Sequence, residues 1–170
     1  MGFLDFLMGQ PAKTKETLPA IISIMPDIAI AEIYNGRLPQ LNTNTIFLKN
    51  DEFCHYIDKA ILLKEKIKKS YVSESRGYST PGFFRGRYNQ RSGRTNVEEQ
   101  AFTEQFRGIL YVTNKRVVFS ATQNGFEKQH RYLSTITPYS NAIELQYGSA
   151  SFCLLVHDGG IVSAVLNLIQ

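Results

Sequence analysis

The sequence predicts a mainly β protein with a minor helical part, and three features carry that prediction. Short β-favouring segments recur between residues 108 and 157, with turn residues at intervals of about 8–12 positions. Gly108-Ile109-Leu110-Tyr111-Val112-Thr113 and Val117-Val118-Phe119 flank Asn114-Lys115-Arg116. That is the pattern of a tight hairpin, because Asn readily takes the left-handed conformation such turns use. Finally, residues 160–170 contain no charge and place Ile161, Val165, Leu168 and Ile169 on one helical face, widened by Val162 and Leu166. These features together predict a sandwich or barrel with a terminal helix over one open end.

The elements follow in order. Residues 2–8 read as a short apolar helical piece, stopped by Gly9 and Pro11. A second helix is expected from Pro26 to Asn35, with Pro tolerated in the first turn and Gly36 supplying a left-handed cap. Ile30, Ile33 and Tyr34 share its apolar face. Thr45-Ile46-Phe47-Leu48 reads as a strand, and Lys49-Asn50-Asp51-Glu52 as a turn. Phe53 to Ile67 is ambiguous, and its periodicity by itself leans helical. Residues 70–96 read as loop, rich in Ser and Gly, with a strand crossing near Phe83 to Tyr88. After the hairpin, Gln123-Asn124-Gly125 turns the chain into a strand from Phe126 to Ile136, and Pro138 and Asn141 mark a break. Ala142 to Tyr147 alternates with period two, as a half-buried strand does. Gly148 to Ala150 lead into the last strand, Ser151 to His157.

A chain of 170 residues, 43% hydrophobic and 20% charged, suffices for one domain whose core needs neither metal nor disulfide. Residues 1–45 are expected to form a helical extension packing on a domain of residues 46–170. Cys54 and Cys153 follow no framework spacing, and no basic n-region precedes the apolar start, so buried free thiols in a reducing cytoplasm are expected. No apolar run reaches the ~20 residues that span a bilayer. A location in the cytoplasm, with contact at the membrane surface, is compatible with both observations.

The net charge of +4 is unevenly spread. Residues 59–94 carry 10 basic and 2 acidic residues, whereas residues 1–58 carry 4 and 7, and residues 95–170 carry 5 and 6. One segment therefore holds the entire positive excess, which points to an anionic partner.

The stretch from Gly108 to Phe119 resembles the GRAM-domain signature, in which a strand ending in Thr-Asn-(Lys/Arg)-Arg turns into an aliphatic strand ending in Phe. It is similar also to the hairpin of bacterial pleckstrin-homology-like proteins. Lys49-Asn50-Asp51-Glu52 resembles the Lys-x-(Gly/Asp)-Glu segment that opens these domains, and Gly86 to Gly93 resembles their Arg- and Gly-rich second strand and turn. The likeness covers about residues 46–170. It implies a bent, seven-stranded pleckstrin-homology-like barrel closed by one C-terminal helix, and it places the first strand within 53–67 against the helical periodicity. It implies no single ligand, since family members differ in what they bind.

Within that frame the basic segment is the candidate site. Lys64, Lys66, Lys68 and Lys69 end the presumed first strand, and Arg76, Arg85, Arg87, Arg91 and Arg94 follow. In pleckstrin-homology domains the loop joining the first two strands is the usual phosphoinositide site, so the resemblance implies an anionic-lipid contact by Lys64, Lys66, Lys68, Lys69, Arg85, Arg87, Arg91 and Arg94. Lysine and arginine donate to phosphate, arginine in a two-pronged geometry. The expected function is a non-catalytic adaptor. The alternative is a protein–protein module that forms homo-oligomers through the apolar C-terminal helix. Phe83, Phe84 and Tyr88 interleaved with arginine also suit single-stranded nucleic acid, but no recognised motif frames them and this reading ranks lower.

Other constellations have simpler readings. Lys115 and Arg116 read as turn residues whose charges keep the hairpin tip in water. His55 beside Cys54 faces the opposite side of a strand, and Cys153 and His157 stand about 13 Å apart along one, so neither pair shares a metal. His130 stands alone. Four zinc ligands at workable spacing, a phosphate-binding loop, a nucleophile elbow and a dinucleotide fingerprint are all missing, and neither cofactor nor metal is expected. Asp51-Glu52 and Glu98-Glu99 read as solvated turn carboxylates rather than general acids. Phe3, Leu4, Phe6, Leu7 and Met8 are expected to pack on the domain or on a second copy. Gly2 meets Phe6 where a myristoylation motif expects Ser or Thr.

Overall fold

The computed structural model describes residues 18–81 and 87–170, together with all their side chains except those of Lys68 and residues 70–101. The expected helix at 2–8 and residues 83–86 of the strand expected near Phe83 to Tyr88 lie outside the described residues. The chain is mainly β. Helix α1 (Asp27–Tyr34) precedes strands β1 (Cys54–Pro81), β2 (Arg87–Thr113), β3 (Arg116–Ala121) and β4 (Phe126–Gln129). A 3-10 turn (His130–Tyr132) then leads to β5 (Thr135–Pro138), β6 (Ala142–Tyr147), β7 (Ala150–Leu155) and helix α2 (Gly159–Ile169). The seven strands form one open antiparallel sheet in the order β4-β3-β2-β1-β7-β6-β5.

β1 is the spine of the sheet. It pairs with β2 over its whole length but with β7 only through Ile61, Leu62 and Leu63. Between Tyr56 and Leu62 alternate residues are buried, Tyr56, Asp58, Ala60 and Leu62 each being 1% exposed. Period two thus holds where the helical reading of 53–67 failed, because Ile57, Ile61 and Leu63 serve the opposite face. Asp58 accepts hydrogen bonds from Ser23 Oγ (2.6 Å) and the Ile24 amide (2.8 Å), which pin the extended segment before α1 onto the strand.

Met25, Ala29 and Ile33 of the α1 region share one core with Tyr56, Leu62, Leu110, Val117, Phe119, Leu145 and Leu154. The expected face is corrected here, since Tyr34 is 69% exposed and Ala29 takes its place inside. Gly36 has φ +73°, as a left-handed helix end requires. Asp158 caps α2 by accepting from the Gly160 amide at 2.7 Å. Ile161, Val162, Val165 and Leu166 then enter the same core. Leu168, expected on that face, is 38% exposed.

Three strand expectations are corrected. Thr45–Leu48 has no ladder partner and runs irregularly, with Phe47 85% exposed. Phe126–Ile136 is not one strand: β4 and β5 are opposite edges of the sheet, and the 3-10 turn carries the chain between them. The largest correction concerns 70–96. β1 continues to Pro81 and β2 begins at Arg87, so the expected loop is a two-stranded ribbon.

Asn124 has φ +58°, the left-handed turn expected there. Asn114 does not, and holds its turn differently. Its amide oxygen accepts from the Phe53 N–H and its amide nitrogen donates to the Asp51 carbonyl, both at 2.9 Å. Gly108 sits where the β2–β3 pair crosses a close backbone approach, and an added methyl would strike the Ser120 carbonyl and the Phe119 ring. The two halves of the sheet also meet through side chains, with Phe126 of β4 stacked on Phe152 of β7 at 4.1 Å between centroids.

Candidate functional site

The β1–β2 ribbon is the largest feature that the body of the sheet does not explain. Past Leu63, β1 pairs with β2 alone, and β2 pairs with β3 only from Gly108 onward. At about 3.3 Å per residue the stretch from Lys64 to Pro81 is roughly 60 Å long. A lone two-stranded ribbon has little apolar face to bury and is marginal in water by itself.

Charge divides this arm in two. The proximal half sets lysines against glutamates: Lys64 is in register with Glu104, Lys69 with Glu99, and Lys68 with Gln100 beside it. Lys66 Nζ lies 2.8 Å from a Glu104 carboxylate oxygen. Lys64, half-buried, donates to the Asn124 side chain at 2.6 Å and so belongs to the body. Such cross-strand pairs set register and contribute a few tenths of a kcal/mol each, about 0.2–1.

The distal half differs. Residues 75–97 contain five arginines and no acidic residue. The register sets Arg76 against Ser92, Arg91 against Gly77 and Arg87 against Pro81, while Arg94 lies opposite Glu74. Arg85 lies outside the described residues. The predicted set therefore does not converge on one pocket, because its lysines stand about 25–45 Å along the ribbon from the level of Arg91.

A second set of charges was misread from sequence. Arg116, expected to hold the hairpin tip in water, is 7% exposed, and Glu52, expected on a solvated turn, is 4% exposed. Arg116 Nε and Nη2 donate to the two Glu52 oxygens at 2.7 and 3.1 Å, and Nη1 reaches Glu127 at 2.6 Å. Thr113 Oγ1 donates to Glu52 at 2.7 Å and accepts from the Arg116 amide at 3.0 Å.

Burial alone would push the Glu52 carboxyl up. The Lys49 amide, the Thr113 hydroxyl and the guanidinium outweigh that and hold it below the usual carboxylate range. Burial likewise works against the Arg116 charge, and Glu127 and Glu52 overcome it. The cluster ties the turn before β1 to the β2–β3 hairpin. A sequence signal was available, since Glu52 closes the polar run Lys49-Asn50-Asp51-Glu52 and Arg116 closes the polar run Asn114-Lys115-Arg116, each directly before a strand segment.

The remaining reactive side chains serve the fold. Burial pushes the Cys54 thiol up to about 11 and raises that of Cys153, so neither is a ready thiolate. His55, His130 and His157 each place a ring nitrogen on a backbone carbonyl, of Pro39, Thr113 and Ile21 respectively. Burial lowers the pKa of His130, against the opposing pull of its hydrogen bond to the Thr113 carbonyl. Among the described residues no helix is long and apolar enough to cross a membrane.

No protein-family model, curated protein or solved structure matches the chain.

Proposed function

We propose that the chain is a non-catalytic binding module of the pleckstrin-homology/GRAM type that meets an anionic membrane surface through the distal β1–β2 arm. One observation carries the reading: the arm ends in a stretch, residues 75–97, with five arginines and no carboxylate. Tyr78, Phe83, Phe84 and Tyr88 lie in the same stretch. Aromatic rings settle at the headgroup level while arginines meet lipid phosphates, so this mixture suits an interface better than free solution.

Support for the architecture comes from the sheet. β1 pairs with both β2 and β7, the two halves meet at Phe126 and Phe152, and α2 packs into the shared core. Those relations fit a bent barrel that a C-terminal helix closes. The oligomeric alternative has less to work with, because α2 spends Ile161, Val162, Val165 and Leu166 on its own core.

Each arginine near an anionic leaflet is worth about 1 kcal/mol at moderate salt, so the quadruple variant Arg85→Ala/Arg87→Ala/Arg91→Ala/Arg94→Ala loses roughly 10²- to 10³-fold in vesicle affinity. Co-sedimentation with anionic and neutral vesicles at two salt concentrations checks this. Binding is expected on anionic vesicles only, weakening with salt. Absence of wild-type binding under every condition would falsify the membrane reading. Binding to single-stranded DNA in its place would transfer the arm to nucleic acid.

A further inference from the structure

A second cationic site lies at the end of the sheet opposite the arm. A cleft of about 380 Å³ opens between the turn before β1, the β2–β3 hairpin and the 3-10 turn. Its walls carry Lys49, Lys115, Arg116 and Arg131, with Gln129 and His130, and no carboxylate. Four cations lining one concave space repel one another unless something balances them.

Two of the four are balanced from behind. Arg116 is committed to Glu52 and Glu127, and Lys49 shares Glu127 at 3.9 Å. The other two have no carboxylate partner among the described residues. Lys115 donates to the Asn50 carbonyl, and Arg131 lies over the Tyr132 ring at 4.6 Å. Both contacts orient a cation without neutralising it. Lys115 and Arg131 are exposed, whereas Arg116 between them is fixed by the buried ion pair. The cleft is thus a rigid floor with two free charges on its rim.

We infer that this cleft binds a phosphate group carried by a small phosphorylated ligand. The volume matches a ligand of headgroup or sugar-phosphate size, for which pockets run from about 300 Å³ upward. Lys115 and Arg131 supply charge-assisted donors, and the Gln129 amide is a neutral third donor. The same chemistry is offered by a phosphorylated lipid headgroup and by a free phosphorylated metabolite. The inference is independent of the arm, because β1 from Cys54 to Leu63 separates the two sites.

The test is an NMR titration of the full chain with inorganic phosphate and with inositol trisphosphate. Saturable shifts are expected at the amides of Asn114–Arg116 and Gln129–Arg131. The double variant Lys115→Gln/Arg131→Gln, altered only at exposed positions, weakens binding by about tenfold or more. The quadruple arm variant binds both probes as the wild type does.

Shifts that do not saturate, an unchanged affinity in the double variant, or loss in the arm variant alone would each overturn the inference. The source of the phosphate follows from vesicles containing a phosphorylated phosphatidylinositol, mixed with the arm variant. Retention there, lost when Lys115 and Arg131 are also changed, assigns a lipid headgroup. Binding of inositol trisphosphate without retention on vesicles assigns a soluble ligand.

Discussion

Arginine occurs beyond the base of the β1–β2 pair, at the start of β3, and again in the sequence of the distal arm, with different neighbours in each place. At the base, Arg116 is 7% exposed and meets two carboxylates and a carbonyl. Along the distal arm, residues 75–97 hold five arginines and no carboxylate, and Glu74, just before the stretch, is in register with Arg94. Desolvating a guanidinium costs several kcal/mol unless charges and hydrogen bonds replace its water, so the base requires Glu52, Glu127 and Thr113 to be where they are. The backbone register of the arm is set instead by strand pairing, with the Lys66–Glu104 ion pair nearer the body. An arginine's role is thus decided by the acceptors the fold brings to it.

The comparison breaks most sharply at the base. Arg116→Ala leaves Glu52 buried without its partner and is expected to cost about 3–5 kcal/mol. Arg116→Lys recovers little, since one ammonium cannot span Glu52 and Glu127 together. Urea unfolding of both variants measures the loss, and a change below about 1 kcal/mol would show that the pair is surface-like.

Next comes Gly108, where the ribbon joins the body. Gly108→Ala forces a methyl against the Ser120 carbonyl and the Phe119 ring and should cost about 1–3 kcal/mol, read from the same unfolding curves. An unaffected midpoint would mean that β2 and β3 can part there without penalty.

A smaller effect depends on pH. Glu52 has its folded pKa depressed below its ordinary value of 4.5. The stability it contributes is therefore fully present above pH 4.5 and is lost as pH falls through the lowered folded value. Thermal melts across that acid range should show a decline that Glu52→Gln, itself less stable at neutral pH, flattens. An identical acid slope in both proteins would assign the decline elsewhere.

The smallest stability effect belongs to the arm. Its quadruple arginine variant should unfold within about 0.5 kcal/mol of the wild type while losing anionic-vesicle binding. A marked loss of stability would place those arginines in the fold rather than at a partner.

Much of the body was legible in local sequence. Residues 108–119 give a hairpin because aliphatic and aromatic residues flank a polar turn, and α1, Gly36, the Asn124 turn, β6 and α2 formed close to where period and capping chemistry put them. Those signals are local, carried within ten residues or so. Asn114 illustrates their limit: its residue type suits a tight turn, yet the turn is held by its side chain bonding to Phe53 and Asp51, some sixty positions away.

The tertiary structure decided what pairing and burial decide. Glycines and serines between 70 and 96 suggest a loop, but from Tyr71↔Val97 to Pro81↔Arg87 the two strands stay in register, continuing a ladder that begins at the body of the sheet. Burial of Arg116 was invisible because its carboxylates come from two other segments. The cleft of Lys115 and Arg131 exists only because the chain crosses between the two edges of the sheet at His130–Tyr132. The sequence by itself determined composition, period and the uneven charge. Which charges are buried, which are paired and which are left for a partner followed from the fold, since electrostatic energy depends on distance and solvent and not on position along the chain.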